Sequence, residues 1–81
     1  MKIRATDRFT KSYREAPSTV QKAFEKQARL LLENPRHPSL RSKQYDVSRD
    51  IWQARVTRGW RFYLVIETNT YLLLDIIPHP K

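Results

Sequence analysis

The sequence predicts an α+β domain: two N-terminal helices packed on one face of a mainly antiparallel, twisted, four-stranded sheet. Two periodicities point to it. Apolar residues recur at helical spacing up to residue 33, and they alternate with polar ones at strand spacing from residue 51 onward. No repeat, low-complexity tract or linker interrupts the chain, so residues 1–81 read as a single domain.

The elements follow in order. Lys2 to Thr6 reads as a short first strand, with Ile3 and Ala5 pointing one way. Asp7 is placed to cap a helix in which Phe9, Tyr13 and Ala16 share a stripe. Pro17 breaks that helix and starts the next, and Ser18 with Gln21 has the spacing of a capping box. Val20, Ala23, Phe24, Ala28 and Leu31, flanked by Leu30, give the second helix its buried side, while Lys22, Lys26 and Arg29 face water. Asn34-Pro35 ends it, because a residue before proline is pushed out of helical geometry. Residues 36–50 connect helix to sheet. Leu40 and Tyr45 are their candidate core anchors, and 41–44 could form a short extra strand.

Strands are expected over 51–56, 60–66 and 70–77. Register decides which side chains share a face, so the turns matter. A three-residue loop Thr57-Arg58-Gly59, with the chain's single glycine left-handed, sets Arg55 opposite Arg61 and Ala54 opposite Phe62. Treating Glu67-Thr68-Asn69 alike, with Asn69 left-handed, sets Arg61 opposite Asp75 and Tyr63 opposite Leu73. The core face is then Trp52, Ala54, Val56, Trp60, Phe62, Leu64 and Ile66; Gln53, Arg55, Arg61 and Tyr63 form the other. A two-residue loop at either turn would carry arginine into the core.

Composition narrows the partners. Sixteen Lys+Arg against eight Asp+Glu give a net charge of +8, and ten of the sixteen are arginines, whose forked donors suit phosphate. Between Arg36 and Arg61, seven basic residues face only Asp46 and Asp50. Such an excess implies a polyanionic partner, nucleic acid or an acidic protein segment. Apolar runs such as Tyr71-Leu72-Leu73-Leu74 fall far short of the roughly 18 residues of a membrane span. With no signal-peptide core after Met1 and no cysteine, a cytoplasmic location without disulfides is expected.

Three constellations could carry chemistry. Arg55 and Arg61, directly opposed, repel unless an anion lies between them. That anion is either Asp75, in a structural ion-pair row, or a substrate phosphate with Asp75 orienting one guanidinium. His79, between Pro78 and Pro80, is either an exposed tail residue or a proton-transfer group at the edge of the arginine face. Tyr63 offers a ring on which a base could stack, whereas Trp52 and Trp60 read as core. His37 reads as a turn residue. Two separated histidines without cysteine supply no metal-ligand cluster, and a chain with one glycine has no glycine-rich phosphate loop.

The run from Trp52 to Tyr63 contains W-x-x-R-[IV]-T-x-x-x-R, met by Trp52, Arg55, Val56, Thr57 and Arg61. With the "HPSL" run at 37–40, a second helix ending in Asn34-Pro35 and a late histidine, the chain resembles the RelE/ParE superfamily of toxins from toxin–antitoxin pairs. It is most similar to the YoeB/RelE-like branch of messenger-RNA-cleaving toxins. The resemblance implies a RelE-like fold and an endoribonuclease in which a neighbouring 2′-hydroxyl attacks the scissile phosphate, so neither metal nor cofactor is required. By matching position, Arg61 and His79 would be catalytic. Arg55 would position the phosphate, and Arg41, Lys43 and Arg58 would attach RNA electrostatically. The implied partners are a cognate antitoxin with an acidic segment, messenger RNA on the ribosome, and operator DNA only through the antitoxin. Two features depart from the branch. Pro80 and Lys81 stand where a terminal tyrosine follows the histidine, and Ser42 and Lys43 occupy the region of its catalytic glutamate. RelE proper carries strand lysines where this chain has Trp52 and Ala54. A ParE-like inhibitor of DNA gyrase, or a degenerate toxin that only binds antitoxin and nucleic acid such as operator DNA, are the readings these departures leave open.

Overall fold

In the computed structural model, which describes residues 1–79, strand β1 (Lys2–Ala5) leads into helices α1 (Asp7–Glu15) and α2 (Ser18–Glu33). A short 3-10 turn (Pro38–Leu40) precedes strands β2 (Lys43–Asp46), β3 (Ile51–Thr57), β4 (Trp60–Ile66) and β5 (Thr70–Pro78). The sheet has five strands in the order β1-β5-β4-β3-β2, parallel only between β1 and β5. The expected class is therefore present with one strand more than expected, because residues 43–46 pair along β3.

Both helices pack on one side. Phe9 of α1, Phe24 of α2 and Phe62 of β4 form a chain of tilted and edge-on rings at 5.2 and 5.1 Å that ties both helices to the central strand. Ala54, Val56, Leu64, Leu73 and Ile76 complete the buried side of the sheet. Leu40 is fully buried and anchors the connecting segment as expected, but Tyr45 is 59% exposed and anchors nothing in the core. Ile66, expected inside, is also exposed because it lies at the sheet's end beside the turn.

The helix starts differ from expectation. Thr6, not Asp7, caps α1: its hydroxyl accepts the Phe9 N–H at 3.1 Å. Pro17 precedes α2 and no side chain caps it. Gln21 instead reaches back and donates to the carbonyls of Tyr13 (2.8 Å) and Ala16 (3.3 Å), satisfying the end of α1.

The turns supply the main correction. Thr57 lies opposite Trp60, so the first hairpin has the two-residue tip Arg58-Gly59. Glu67 N–H bonds the Thr70 carbonyl at 2.8 Å, giving the second the tip Thr68-Asn69. Neither Gly59 nor Asn69 is left-handed; the positive-φ residues among those described are Arg41 (45°) and Asp50 (54°). Each short turn shifts the alternation by one residue, and a β-bulge in one of the strands it joins shifts it back. In β3 the register slips between Arg55 and Thr57, leaving Val56 as the extra residue, buried with the core. In β5 Leu74 is the extra residue, between Leu73 opposite Leu64 and Asp75 opposite Tyr63. Without that bulge, Asp75 would fall opposite Phe62, inside the core.

Thr6 holds the second bulge. Its N–H and hydroxyl both meet the Leu73 carbonyl, at 3.1 and 2.9 Å, and the hydroxyl also lies 3.2 Å from the Leu74 carbonyl. One side chain thus caps α1 and satisfies backbone that the bulge releases from the ladder. Replacing it with the near-isosteric valine, Thr6→Val, is expected to cost about 1–2 kcal/mol in chemical denaturation, and Thr6→Ser much less. Gly59 has open space where a Cβ would stand and no positive φ. Gly59→Ala is therefore expected to leave stability unchanged or raise it by up to about 1 kcal/mol, whereas a left-handed glycine would make it destabilising.

Candidate phosphate-binding site

The register sets Arg55 directly opposite Arg61, so both side chains leave the sheet on the same side, away from the helices. One row along, Gln53 faces Tyr63, and Lys43 of β2 faces Gln53. Gln53 is almost fully buried beneath this side, and its amide donates to the Tyr63 hydroxyl at 2.9 Å. The Tyr63 ring meets Tyr45 edge-on, with centroids 4.9 Å apart.

Asp75 does not neutralise the arginine pair. The β5 bulge places it opposite Tyr63 and leaves Ile77 opposite Arg61. Its carboxylate instead pairs with Arg8 of α1 at 3.1 Å and accepts the Ile76 N–H at 2.9 Å. The other ion pair among the described residues joins Arg49 to Asp46 at 2.8 Å. The expected ion-pair row Arg55–Asp75–Arg61 is thus absent, and neither arginine is paired with a carboxylate among the described residues.

Arg61 is partly fixed. Its Nη1 shares its hydrogens among the carbonyls of Thr57 (2.7 Å), Trp60 (2.9 Å) and Arg58 (3.3 Å), cross-bracing the β3–β4 turn. Nε and Nη2 make no hydrogen bond among the described residues. Burial is the chief cause that lowers the proton affinity of this guanidinium. The positive charges of Arg55 and Arg41 add to the effect, and Tyr63 opposes it. An arginine stays charged regardless, so the charged form is held at a cost that a nearby anion would relieve.

His79 meets the same turn from the other side. Its N–H donates to the Gly59 carbonyl at 2.8 Å, continuing the register in which Pro78 faces Trp60. The strand alternation that places Ile77 beside Arg61 brings His79 to that side again. The ring is half-buried, and Nδ1 is buried with no hydrogen-bond partner among the described residues. The ring is thus partly enclosed beside the turn rather than carried on a free tail. Pro80 and Lys81, where the branch carries its tyrosine, lie outside the described residues.

The remaining predicted residues divide. Arg41 lies close enough to act electrostatically on Arg61, while Arg58 is exposed at the turn tip and Lys43 is exposed on the neighbouring row. His37 is a turn residue as expected, its Nδ1 accepting the Ser39 N–H at 3.1 Å. Sequence reasoning missed Gln27. It occupies the position in the buried stripe of α2 between Phe24 and Leu31, and its amide donates to the carbonyls of Ser39 (3.0 Å) and Arg55 (2.8 Å). A polar residue at a core position of the helical period was the available signal. Gln27→Ala leaves both carbonyls without their side-chain donor and is expected to cost about 1–3 kcal/mol, read from thermal or denaturant unfolding.

No protein-family model and no curated protein matches the sequence. Solved structures do match the fold. A YoeB/ParE toxin from Agrobacterium tumefaciens superposes with a TM-score of 0.82 at 14% identity, over 99% of this chain and 100% of that one. YafQ from E. coli strain BL21(DE3) gives 0.78 at 14%, over 96% and 92%. A chain of the intact E. coli RelBE toxin–antitoxin complex gives 0.74 at 17%, over 99% and 98%. Two helices on one side of this five-stranded sheet, with the other side bare and basic, have the fold of the RelE/ParE toxins.

Proposed function

We propose that the chain is the toxin of a toxin–antitoxin pair and acts as a messenger-RNA endoribonuclease. The observation that carries this reading is the convergence of Arg55, Arg61 and His79 on the β3–β4 turn, with neither guanidinium paired to a carboxylate among the described residues. A phosphodiester supplies the missing anion. Its neighbouring 2′-hydroxyl is the nucleophile, so the protein's task is to hold the phosphate, stabilise added negative charge and move a proton.

The geometry supports a set of roles. Arg61, already immobilised through Nη1, presents its remaining donors to a phosphate without reorganising, which is the condition for transition-state stabilisation. Arg55 opposes it and positions the phosphate. As the 2′-oxygen bonds phosphorus its proton passes to solvent, and His79 protonates the departing 5′-oxygen, leaving a 2′,3′-cyclic phosphate and a 5′-hydroxyl. Tyr63 and Lys43 lie one row along, about 6.8 Å by strand rise, where they meet the base and backbone of the same strand. Arg41 and Arg58 add long-range attraction. The partner that restrains such a toxin is an antitoxin segment, acidic enough to offset the +8 charge. No described helix is long and apolar enough to cross a membrane, and RNA places the work in the cytoplasm.

His79→Gln is expected to lower cleavage of ribosome-bound messenger RNA at least about 100-fold with an unchanged melting temperature. Arg61→Lys should lower it about 100–1,000-fold while a lysine amine still reaches the turn carbonyls. Cyclic-phosphate ends on the wild-type products complete the expected result. Full cleavage by both variants would remove the catalytic assignment. Intact transcripts with trapped gyrase–DNA complexes on expression would replace it with the gyrase-inhibitor reading.

A further inference from the structure

We propose that the cleft between α2, the 3-10 turn and the free edge of β3 binds a second phosphate of the same RNA strand, next to the one held by Arg55 and Arg61. This rests on the nucleic-acid reading above and assigns a site and a residue, Lys26, that the reading does not use.

The cleft has a volume of ≈ 530 Å³, and Lys26, Gln27, Ser39, Arg41 and Arg55 contribute to its lining. β2 pairs with β3 only along residues 51–53, so beyond that point the edge of β3 carries no neighbouring strand. Two cations, Lys26 of α2 and Arg41 at the end of the 3-10 turn, thus line one hollow together with the backbone of Arg55, and no acidic residue lines it. Neither belongs to an ion pair among the described residues. Two like charges bordering one hollow without a counter-charge favour an anion there.

The hollow is also built rather than incidental. Gln27, only 6% exposed, forms its floor and spends both amide hydrogens on the carbonyls of Ser39 and Arg55. This fixes the β3 edge against the 3-10 turn. Arg41 ends that turn in a left-handed conformation at φ 45°, held by its N–H on the Pro38 carbonyl at 3.1 Å. A non-glycine residue there costs about 1 kcal/mol or more, and such strain collects where a side chain must be aimed.

Arg55 belongs to both places. Its side chain faces Arg61 across the hairpin and its backbone carbonyl borders the cleft, so the two anion positions lie on either side of one residue of the sheet edge. The charge of Arg41 acts on Arg61, as that adjacency requires. Adjacent phosphates of one strand are the ligand that such a pair of positions fits. A free phosphate or mononucleotide would occupy one position only.

The test compares Lys26→Gln with Lys22→Gln, an α2 lysine that does not line the cleft. Binding of non-cleavable 2′-O-methyl RNA is followed by fluorescence anisotropy across salt concentrations. With a trinucleoside diphosphate, Lys26→Gln should reduce the slope of log K against log salt by about 0.7, the loss of one single-strand phosphate contact. Lys22→Gln should leave it unchanged. With a dinucleoside monophosphate, Lys26→Gln should behave as wild type. An unchanged slope for Lys26→Gln, or an equal loss with one phosphate and with two, would overturn the second site while leaving the first. Absence of salt-dependent RNA binding by the wild-type protein would overturn the nucleic-acid reading and this inference together.

Discussion

An amphipathic meander with two-residue turns faces a parity constraint. Each such turn exchanges the two sides of the following strand, and here that would bury a charged residue twice. The bulges at Val56 and Leu74 restore the alternation at both places. Phe62 then meets Ala54 and Ile76 on the helix side, while Arg55 and Arg61 meet on the other. The β5 bulge also moves Asp75 from opposite Phe62 to opposite Tyr63, where Arg8 neutralises it. The unpaired arginines are thus a consequence of how the sheet keeps its core apolar. Thr6 is central because it bonds the carbonyls that this correction releases.

Much of this arrangement was readable from the residues. Both helices, the three long strands and the sidedness of the sheet follow from period and punctuation, and so does the opposition of Arg55 to Arg61. What was not readable concerns single-residue shifts. Leu72-Leu73-Leu74 offers three similar side chains, so nothing local marks which one the bulge leaves out. A three-residue loop and a two-residue turn plus a bulge give the same facing residues in the first hairpin, which is why Arg55 was placed correctly by a wrong turn. In the second hairpin the two solutions differ by two residues, and Asp75 was misplaced. Capping was ambiguous for a related reason: Thr6 and Asp7 are both good caps, and only the β5 carbonyls beside Thr6 decide between them.

The candidate site joins stability to chemistry in one side chain. Arg61 cross-braces three carbonyls of its own turn, and His79 bonds a fourth carbonyl of the same turn through its backbone. The hairpin tip is therefore held by the groups proposed to act on the phosphate. Its rigidity accompanies their placement, as preorganised charge stabilisation requires. On the β3 edge, Gln27 does the same for the backbone of Arg55. The high net charge is then not spread for solubility alone. Its hairpin and cleft portion is gathered where carboxylates are missing, while Asp46 and Asp75 serve cations elsewhere.

The most direct measurement is of the guanidinium groups themselves. Arginine side-chain Nε–Hε resonances, followed by NMR during titration with a 2′-O-methyl dinucleoside monophosphate, report which arginines meet a phosphate. Shifts of Arg55 and Arg61 that saturate together, with ring-proton shifts of His79 and with Arg8 and Arg49 unmoved, are the expected result. Shifts confined to exposed arginines such as Arg8 and Arg49, with Arg61 unaffected, would contradict phosphate binding at the β3–β4 hairpin.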